Sequence, residues 1–129
     1  MALIVVDASV VIALLDPADA LNPGARRALE LVAAADLAIP ASALAETLVA
    51  PARAGKLEQA RGSIRALELR VADTGEEVAV EAARLRAGHR SLRLPDALVL
   101  ATAEVLGADV VLTGDASWGA ISQRVRVVG

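Results

Sequence analysis

The stretch Leu3-Ile4-Val5-Val6-Asp7 decides the fold. Four successive apolar, mostly β-branched residues without alternation suit a strand buried on both faces, the kind found in parallel sheets covered by helices. Asp7 then places a charge at the end of that strand. Downstream, 10–15 is an apolar helical run that Asp7 or Ser9 can cap and that Asp16-Pro17 terminates. The strand-to-helix step fixes the class as α/β.

The same alternation continues outward. Asn22-Pro23 reads as N-cap plus first-turn proline of a helix to about residue 35, and 37–39 is a second short buried strand. Pro40 and Ser42 open a third helix carrying Leu44, Leu48 and Val49, which Pro51 should end or kink. Leu57, Ala60, Ile64 and Leu67 mark a fourth helix, followed by a weak strand over 69–72. Thr74-Gly75-Glu76-Glu77 has the form of a capping box for a helix that Gly88 closes. Pro95 starts a helix with 97–106 as its apolar body and Gly107 as its stop. Strands follow at 110–112 and 125–127, separated by a Thr113-Gly114-Asp115 loop. Strands spaced by helices predict a right-handed, mostly parallel sheet with helices on both faces, in a single domain over 1–129.

Composition narrows the chemistry. The chain has 129 residues, 56% of them hydrophobic, yet Trp118 is the only aromatic. The core must be aliphatic, and rows of aromatic base-stacking platforms are excluded. Thirteen Lys and Arg against sixteen Asp and Glu give a net charge of −3, the wrong sign for gripping a polyanion by bulk charge. Any nucleic-acid contact must be local or metal-assisted. The absence of cysteine rules out disulfides and thiolate sites, and His89 alone cannot make a His-based zinc centre or a catalytic triad. Asp7 interrupts the only long apolar run, so neither a signal peptide nor a membrane span is expected, and a cytoplasmic protein is.

In open α/β sheets, sites form beyond the carboxyl ends of the strands. Asp7 ends the first strand, Asp115 follows the late one, Glu46 lies in the first turns of the helix after the second, and Asp96 opens the helix before the late strand. Each has an ordinary structural explanation: helix cap for Asp7, turn residue for Asp115, dipole partner for Asp96, solvated helix residue for Glu46. Together they would repel unless a cation sat among them. Oxygen ligands without His or Cys select a hard ion, Mg²⁺ or Mn²⁺, which can activate water and neutralise a phosphoryl group.

The segments Val5-Val6-Asp7-Ala8-Ser9, Ser42-Ala43-Leu44-Ala45-Glu46, Leu94-Pro95-Asp96-Ala97-Leu98 and Leu112-Thr113-Gly114-Asp115 carry a resemblance. In order and spacing the chain resembles the PIN-domain ribonucleases, and among them the VapC-type toxins of toxin–antitoxin pairs. The resemblance implies an α/β/α sandwich around a five-stranded parallel sheet. It places Asp7, Glu46, Asp96 and Asp115 on the family's acidic quartet, with Ser9 and Thr113 as supporting hydroxyls. It also implies Mg²⁺- or Mn²⁺-dependent endoribonuclease activity on RNA, a VapB-type antitoxin partner and a homodimer. The competing reading is a catalytically inactive PIN-like binding module. An aspartyl-phosphate protein is disfavoured because residue 9 is Ser, which breaks the D-x-D pattern.

Two features stand outside the motifs. The run 84–93 holds Arg84, Arg86, His89, Arg90 and Arg93 with no acid. It reads either as cations complementing a helix end or as a local RNA grip formed by Arg93, Arg90 and Arg86, of which Arg93 is nearest Asp96. Trp118 reads as a packing residue under the last strand, with an RNA- or partner-facing role as the alternative.

Overall fold

The computed structural model describes residues 2–129. Five strands, β1 (Leu3–Val6), β2 (Asp36–Pro40), β3 (Arg70–Ala72), β4 (Val110–Thr113) and β5 (Val125–Val127), form one parallel sheet in the order β3-β2-β1-β4-β5. Six helices flank it: α1 (Ala8–Leu15), α2 (Asn22–Leu31), α3 (Ala41–Arg53), α4 (Leu57–Ala66), α5 (Glu76–Gly88) and α6 (Leu94–Leu106). The unalternating run at the N-terminus therefore is the central strand. Ile4, Val5 and Val6 are essentially inaccessible because they are covered on both faces, each side chain contributing about 1.5–3 kcal/mol by burial.

The chain builds outward from β1 through β2 to β3, then returns to place β4 and β5 on the other side. The order thus reverses between β1 and β4, and the crevice beyond their carboxyl ends is where such sheets bind ligands. Val6 pairs with Leu112 in the register, so the next residues, Asp7 and Thr113, stand at the lip of that crevice.

Local chemistry departs from the sequence expectations at several ends. Asp7 occupies the N-cap position of α1, which begins at Ala8, but neither its side chain nor that of Ser9 caps the helix, because both are engaged at the site. Asn22 is inside α2 rather than at its cap, and its amide donates to the Ala13 carbonyl at 2.8 Å, tying α2 to α1. The second helix stops at Leu31, four residues early, because Asp36 already pairs with Leu3 and the backbone must turn over 32–35. Pro51 does not end α3, which runs to Arg53. The proline falls in the last turn, where little helix remains for its missing N–H to disrupt. The capping box before α5 is not formed. Gly75 is the N-cap, and Glu76 and Glu77 support the first turn through the helix dipole instead. Gly107 does stop α6, at φ +65°, donating to the Ala103 and Glu104 carbonyls.

Candidate active site

The short turn from β1 into α1 leaves Asp7 only 8% exposed at the β1–β4 crevice. Burying a carboxylate demands hydrogen-bond partners, and the sequence supplies them from both strands. Ser9 Oγ donates to Asp7 Oδ2 at 2.7 Å, and Thr113 Oγ1 donates to the same oxygen at 3.0 Å. Both hydroxyls are themselves fixed by the following loop: the Gly114 amide donates to Ser9 Oγ at 2.9 Å and the Asp115 amide to Thr113 Oγ1 at 3.1 Å. Ser9 and Thr113 thus hold one oxygen of Asp7 in place. A Cβ at position 114 would lie 2.5 Å from Leu21 Cδ1 and 3.4 Å from Ser9 Oγ, so the end of the Leu21 side chain would have to shift to admit one. The Thr-Gly-Asp sequence was the signal for that loop, but the amide-to-serine bond was not readable from it.

The other three acids come from elements that end at the same edge. Glu46 lies in the second turn of α3, and Asp96 in the first turn of α6 behind Pro95. Partial burial and then the charges of Asp7 and Asp96 hold Glu46 above the usual carboxylate range, with Arg93 opposing. Asp96 is also raised, first by burial, against the pull of Arg93 and with Asp7 and Asp115 adding repulsion. These couplings place the four carboxylates in one electrostatic neighbourhood. Asp115 differs from Glu46 and Asp96. Ser117 donates to its Oδ1 from Oγ at 2.6 Å and from its amide at 2.9 Å, so Asp115 caps the 3-10 turn Ala116–Ala120 and its pKa is lowered. Its turn-forming and site-forming roles coexist.

The donor set is all carboxylate oxygen, which fits a hard divalent cation and suits no soft metal. Among the described residues no group of three or more acids or histidines is yet drawn together as a metal cage. The side chains share a field without closing on a point. Among those residues the buried side-chain polar atoms lacking a hydrogen-bond partner are Ser42 Oγ, one turn of α3 before Glu46, and Trp118 Nε1, three residues after Asp115. Leaving such an atom unpaired costs about 1–3 kcal/mol, and both belong to the segments that carry the acids. Trp118 Nε1 faces the Asp115 carboxyl closely enough to help lower its pKa, yet makes no bond of normal geometry.

The arginine-rich run divides. Arg93 Nε stands 3.5 Å from Asp96 Oδ2, beside the acids as expected from its position. Arg86 is exposed and engages the turn through one nitrogen. Its Nη1 donates to the Leu92 carbonyl at 2.7 Å and the Arg90 carbonyl at 3.4 Å, fastening the turn between α5 and α6. Arg84 pairs with Glu81 along α5, and Arg90 is exposed. Trp118 is 1% exposed, the packing residue its sequence context suggested.

A sheet of this order, with acids at its switch point, defines a class. The chain belongs to the PIN domain family, whose model matches residues 4–123. Its fold is similar to a chain of the VapBC2 complex of Rickettsia felis bound to a fragment of promoter DNA, at 16% identity and a TM-score of 0.81, covering 98% of this chain and 99% of that one. It is also similar to FitAcB of Neisseria gonorrhoeae, with 24% identity, a TM-score of 0.78 and 95% of each chain covered. A third similar structure is VapC20 of Mycobacterium tuberculosis, described as a Sarcin-Ricin loop cleaving toxin, at 22% identity, a TM-score of 0.75 and 91% and 93% coverage. No curated protein sequence matches the chain significantly. Among the described residues no helix is long and apolar enough to cross a membrane.

Proposed function

We propose that this chain is a metal-dependent endoribonuclease acting in the cytoplasm as the toxin of a toxin–antitoxin pair. The observation that carries the reading is the gathering of Asp7, Glu46, Asp96 and Asp115 at the switch point of a PIN sheet, where burial first and the neighbouring carboxylates after it hold Glu46 and Asp96 above their usual pKa. The likeness to a VapC toxin that cleaves the Sarcin-Ricin loop supports RNA as the substrate.

Asp7, Asp96, Asp115 and Glu46 would hold Mg²⁺ or Mn²⁺, which when bound supplies an activated water and charge neutralisation at a phosphoryl group. The protein's own residues do the rest. Ser9 and Thr113 fix one Asp7 oxygen, so the other is presented without rotation of the side chain. Arg93 stands at the rim of the acids as a local cation for a phosphate, which an acidic protein needs.

The antitoxin reading has its own support, since one similar structure is a toxin–antitoxin complex from Klebsiella pneumoniae. An apolar groove of about 420 Å³ runs between α1, α3 and α4, lined by Ile12, Leu15, Ala50 and Pro51, with Asp16 and Glu46 in its wall. An amphipathic segment with an apolar face and a basic side chain fits it by shape and charge, and would reach Glu46. No residue of α2 lines this groove. A homodimer of the toxin belongs to the same reading.

The test incubates the purified chain and its Asp7→Asn variant with structured RNA in Mg²⁺ or Mn²⁺, with and without chelator. Cleavage that needs both the ion and Asp7 is expected. Undiminished cleavage by Asp7→Asn, or none by the wild type with either ion, overturns the reading. Growth arrest on expression, relieved by the product of the adjacent gene, tests the toxin role.

A further inference from the structure

Asp115 is held through one oxygen only. Its Oδ1 accepts from the Ser117 hydroxyl at 2.6 Å and from the Ser117 amide at 2.9 Å, while its Oδ2 accepts no bond of normal geometry among the described residues. Asp7 is anchored differently, by hydroxyls from two separate elements, Ser9 on α1 and Thr113 on β4. Both donors to Asp115 come from one exposed residue two positions away. A carboxylate gripped in that way can still pivot about the grip, and nothing in it reaches the core.

Trp118 supplies what is missing. Residues three apart in a 3-10 turn lie one above the other. Asp115 is the N-cap of the turn Ala116–Ala120, and the Trp118 amide donates to the Asp115 carbonyl at 3.3 Å. The indole therefore stands over the carboxyl, close enough to act on it electrostatically. Its Nε1 is shut off from water and has no hydrogen-bond partner, and an indole N–H can only donate. The ring is 1% exposed and belongs to the same buried cluster as Val125 and Val128, so this donor cannot swing out to solvent. Packing explains the buried ring but not its unpaired N–H, which is unfavourable where it stands. The acceptor beside it is the unengaged Oδ2. An ionised carboxylate oxygen has two lone pairs, so Oδ2 can take the indole N–H and keep one for a cation.

We infer that Trp118 is a positioning residue for Asp115: its N–H closes on Oδ2 when the carboxyl takes its ligating pose, so that Ser117 and Trp118 lock the carboxylate from both sides and tie it to the core. The inference rests on the metal-dependent reading and adds to it a residue that touches neither the ion nor RNA. Trp118 stands to Asp115 as Thr113 stands to Asp7.

Trp118 is the only tryptophan, so its indole N–H gives a single NMR resonance that needs no assignment. Mg²⁺ is titrated into the ¹⁵N-labelled wild type while that resonance is followed, and ion affinity is measured separately by calorimetry. The indole proton is expected to move downfield, saturably, with the calorimetric midpoint. Two proteins remove the N–H: Trp118→Phe, and a chain carrying benzothienylalanine at position 118, in which sulfur replaces the N–H and the ring shape is kept. Both are expected to bind Mg²⁺ about tenfold more weakly, as for loss of a group that orients a metal ligand. Without ion, the benzothienyl protein should melt no lower than the wild type, because the donor it lacks is unpaired there. A role in packing alone would leave its ion affinity unchanged. Wild-type affinity in the benzothienyl protein, or an indole proton that stays still or moves upfield while calorimetry records binding, overturns the inference and leaves the ribonuclease reading standing. A wild type that neither binds the ion nor cleaves RNA removes both.

Discussion

Thr113 Oγ1 donates to Asp7 Oδ2 at 3.0 Å, joining residues 106 positions apart across the crevice between β1 and β4. Ser9 donates to the same oxygen, so both hydroxyls load one side of the carboxylate, and Oδ1 accepts no hydrogen bond among the described residues. The register that sets Val6 opposite Leu112 makes this contact possible.

Thr113→Val removes that donor with little change in shape. It also takes the acceptor from the Asp115 amide, so two polar groups lose a partner, at a cost of about 1–3 kcal/mol. Groups that orient a metal ligand are commonly worth 10–100-fold, and cleavage is expected to fall by about that factor. Cleavage rates and melting temperatures of the two proteins check this. Wild-type activity in a folded Thr113→Val protein would mean that Ser9 alone holds Asp7.

Asp7→Asn is expected to abolish cleavage and leave the fold intact. The amide oxygen can still accept from Ser9 and Thr113, while one of the charges that add to the effect of burial on Glu46 and Asp96 is gone. The metal-free variant should therefore be no less stable than the wild type, and the Glu46 and Asp96 titrations should move down. Carboxyl NMR titration and thermal unfolding measure both, and a variant that melts well below the wild type would show that the Asp7 charge serves the fold.

How much of this was legible depended on whether the information was local. The Leu3–Val6 run, the acid after it and the Gly107 stop are short-range patterns, and the structure keeps them. Asp7 and Asp115 could be read as residues that follow strands, and Glu46 and Asp96 as residues near the starts of helices, because parallel topology brings strand ends and helix starts to one edge. Caps were read less well. Ser9 and Asn22 have the side chains of cap residues, but tertiary partners outcompete the local helix ends: Gly114 and Asp7 for Ser9, the Ala13 carbonyl for Asn22. The contacts of Arg86 were not legible for the same reason, since Nη1 donates to the Arg90 and Leu92 carbonyls of a turn that only the fold creates.

The raised carboxyls give the metal-free protein a defined pH response. A folded pKa above the unfolded one means that ionisation opposes folding. The stabilisation from Glu46 and Asp96 is full below their ordinary values, 4.5 and 3.8, and is lost as pH rises through their higher folded values. Asp115, lowered by Ser117, works in the opposite sense: its stabilisation is present above 3.8 and is lost as pH falls through its lower folded value. Lowering the pH from neutral toward about 4.5 should thus raise the contribution of this site to stability. At neutral pH, adding Mg²⁺ or Mn²⁺ should raise the melting temperature of the wild type more than that of Asp7→Asn. Equal responses of the two proteins to the ion would place the binding elsewhere.

Ile12 offers a way to separate partner from substrate. It is 41% exposed in the groove between α1, α3 and α4 and belongs to neither the quartet nor the arginine-bearing turn. Ile12→Glu sets a third acid and no apolar surface before an incoming helix, and is expected to weaken antitoxin binding by tenfold or more, on the order of 1.4 kcal/mol. RNA cleavage by the free protein should persist. Calorimetric titration with the antitoxin and a cleavage assay on the same preparation give the comparison, and unaltered antitoxin affinity would move the docking surface away from this groove.

Arg93 bears on metal and RNA at once, in opposite directions. Its Nε lies 3.5 Å from Asp96 Oδ2, and its charge pulls down both Asp96 and Glu46. In the metal-free protein it partly fills the role of a counter-cation. With RNA present, the same guanidinium is placed to meet a phosphate held at the acids, as a charge-assisted bond worth about 1–3 kcal/mol. Arg93→Ala should therefore weaken RNA binding by that amount and reduce the salt slope by about one phosphate contact. Removing a positive charge from beside the acids should strengthen divalent-ion binding, so loss of RNA affinity cannot be attributed to loss of metal. The measurements are RNA affinity across a salt series in an Asp7→Asn background, and metal affinity in the single variant. An unchanged salt slope would show that Arg93 serves only to neutralise Asp96, and would leave Arg90 as the cation of this turn to test next.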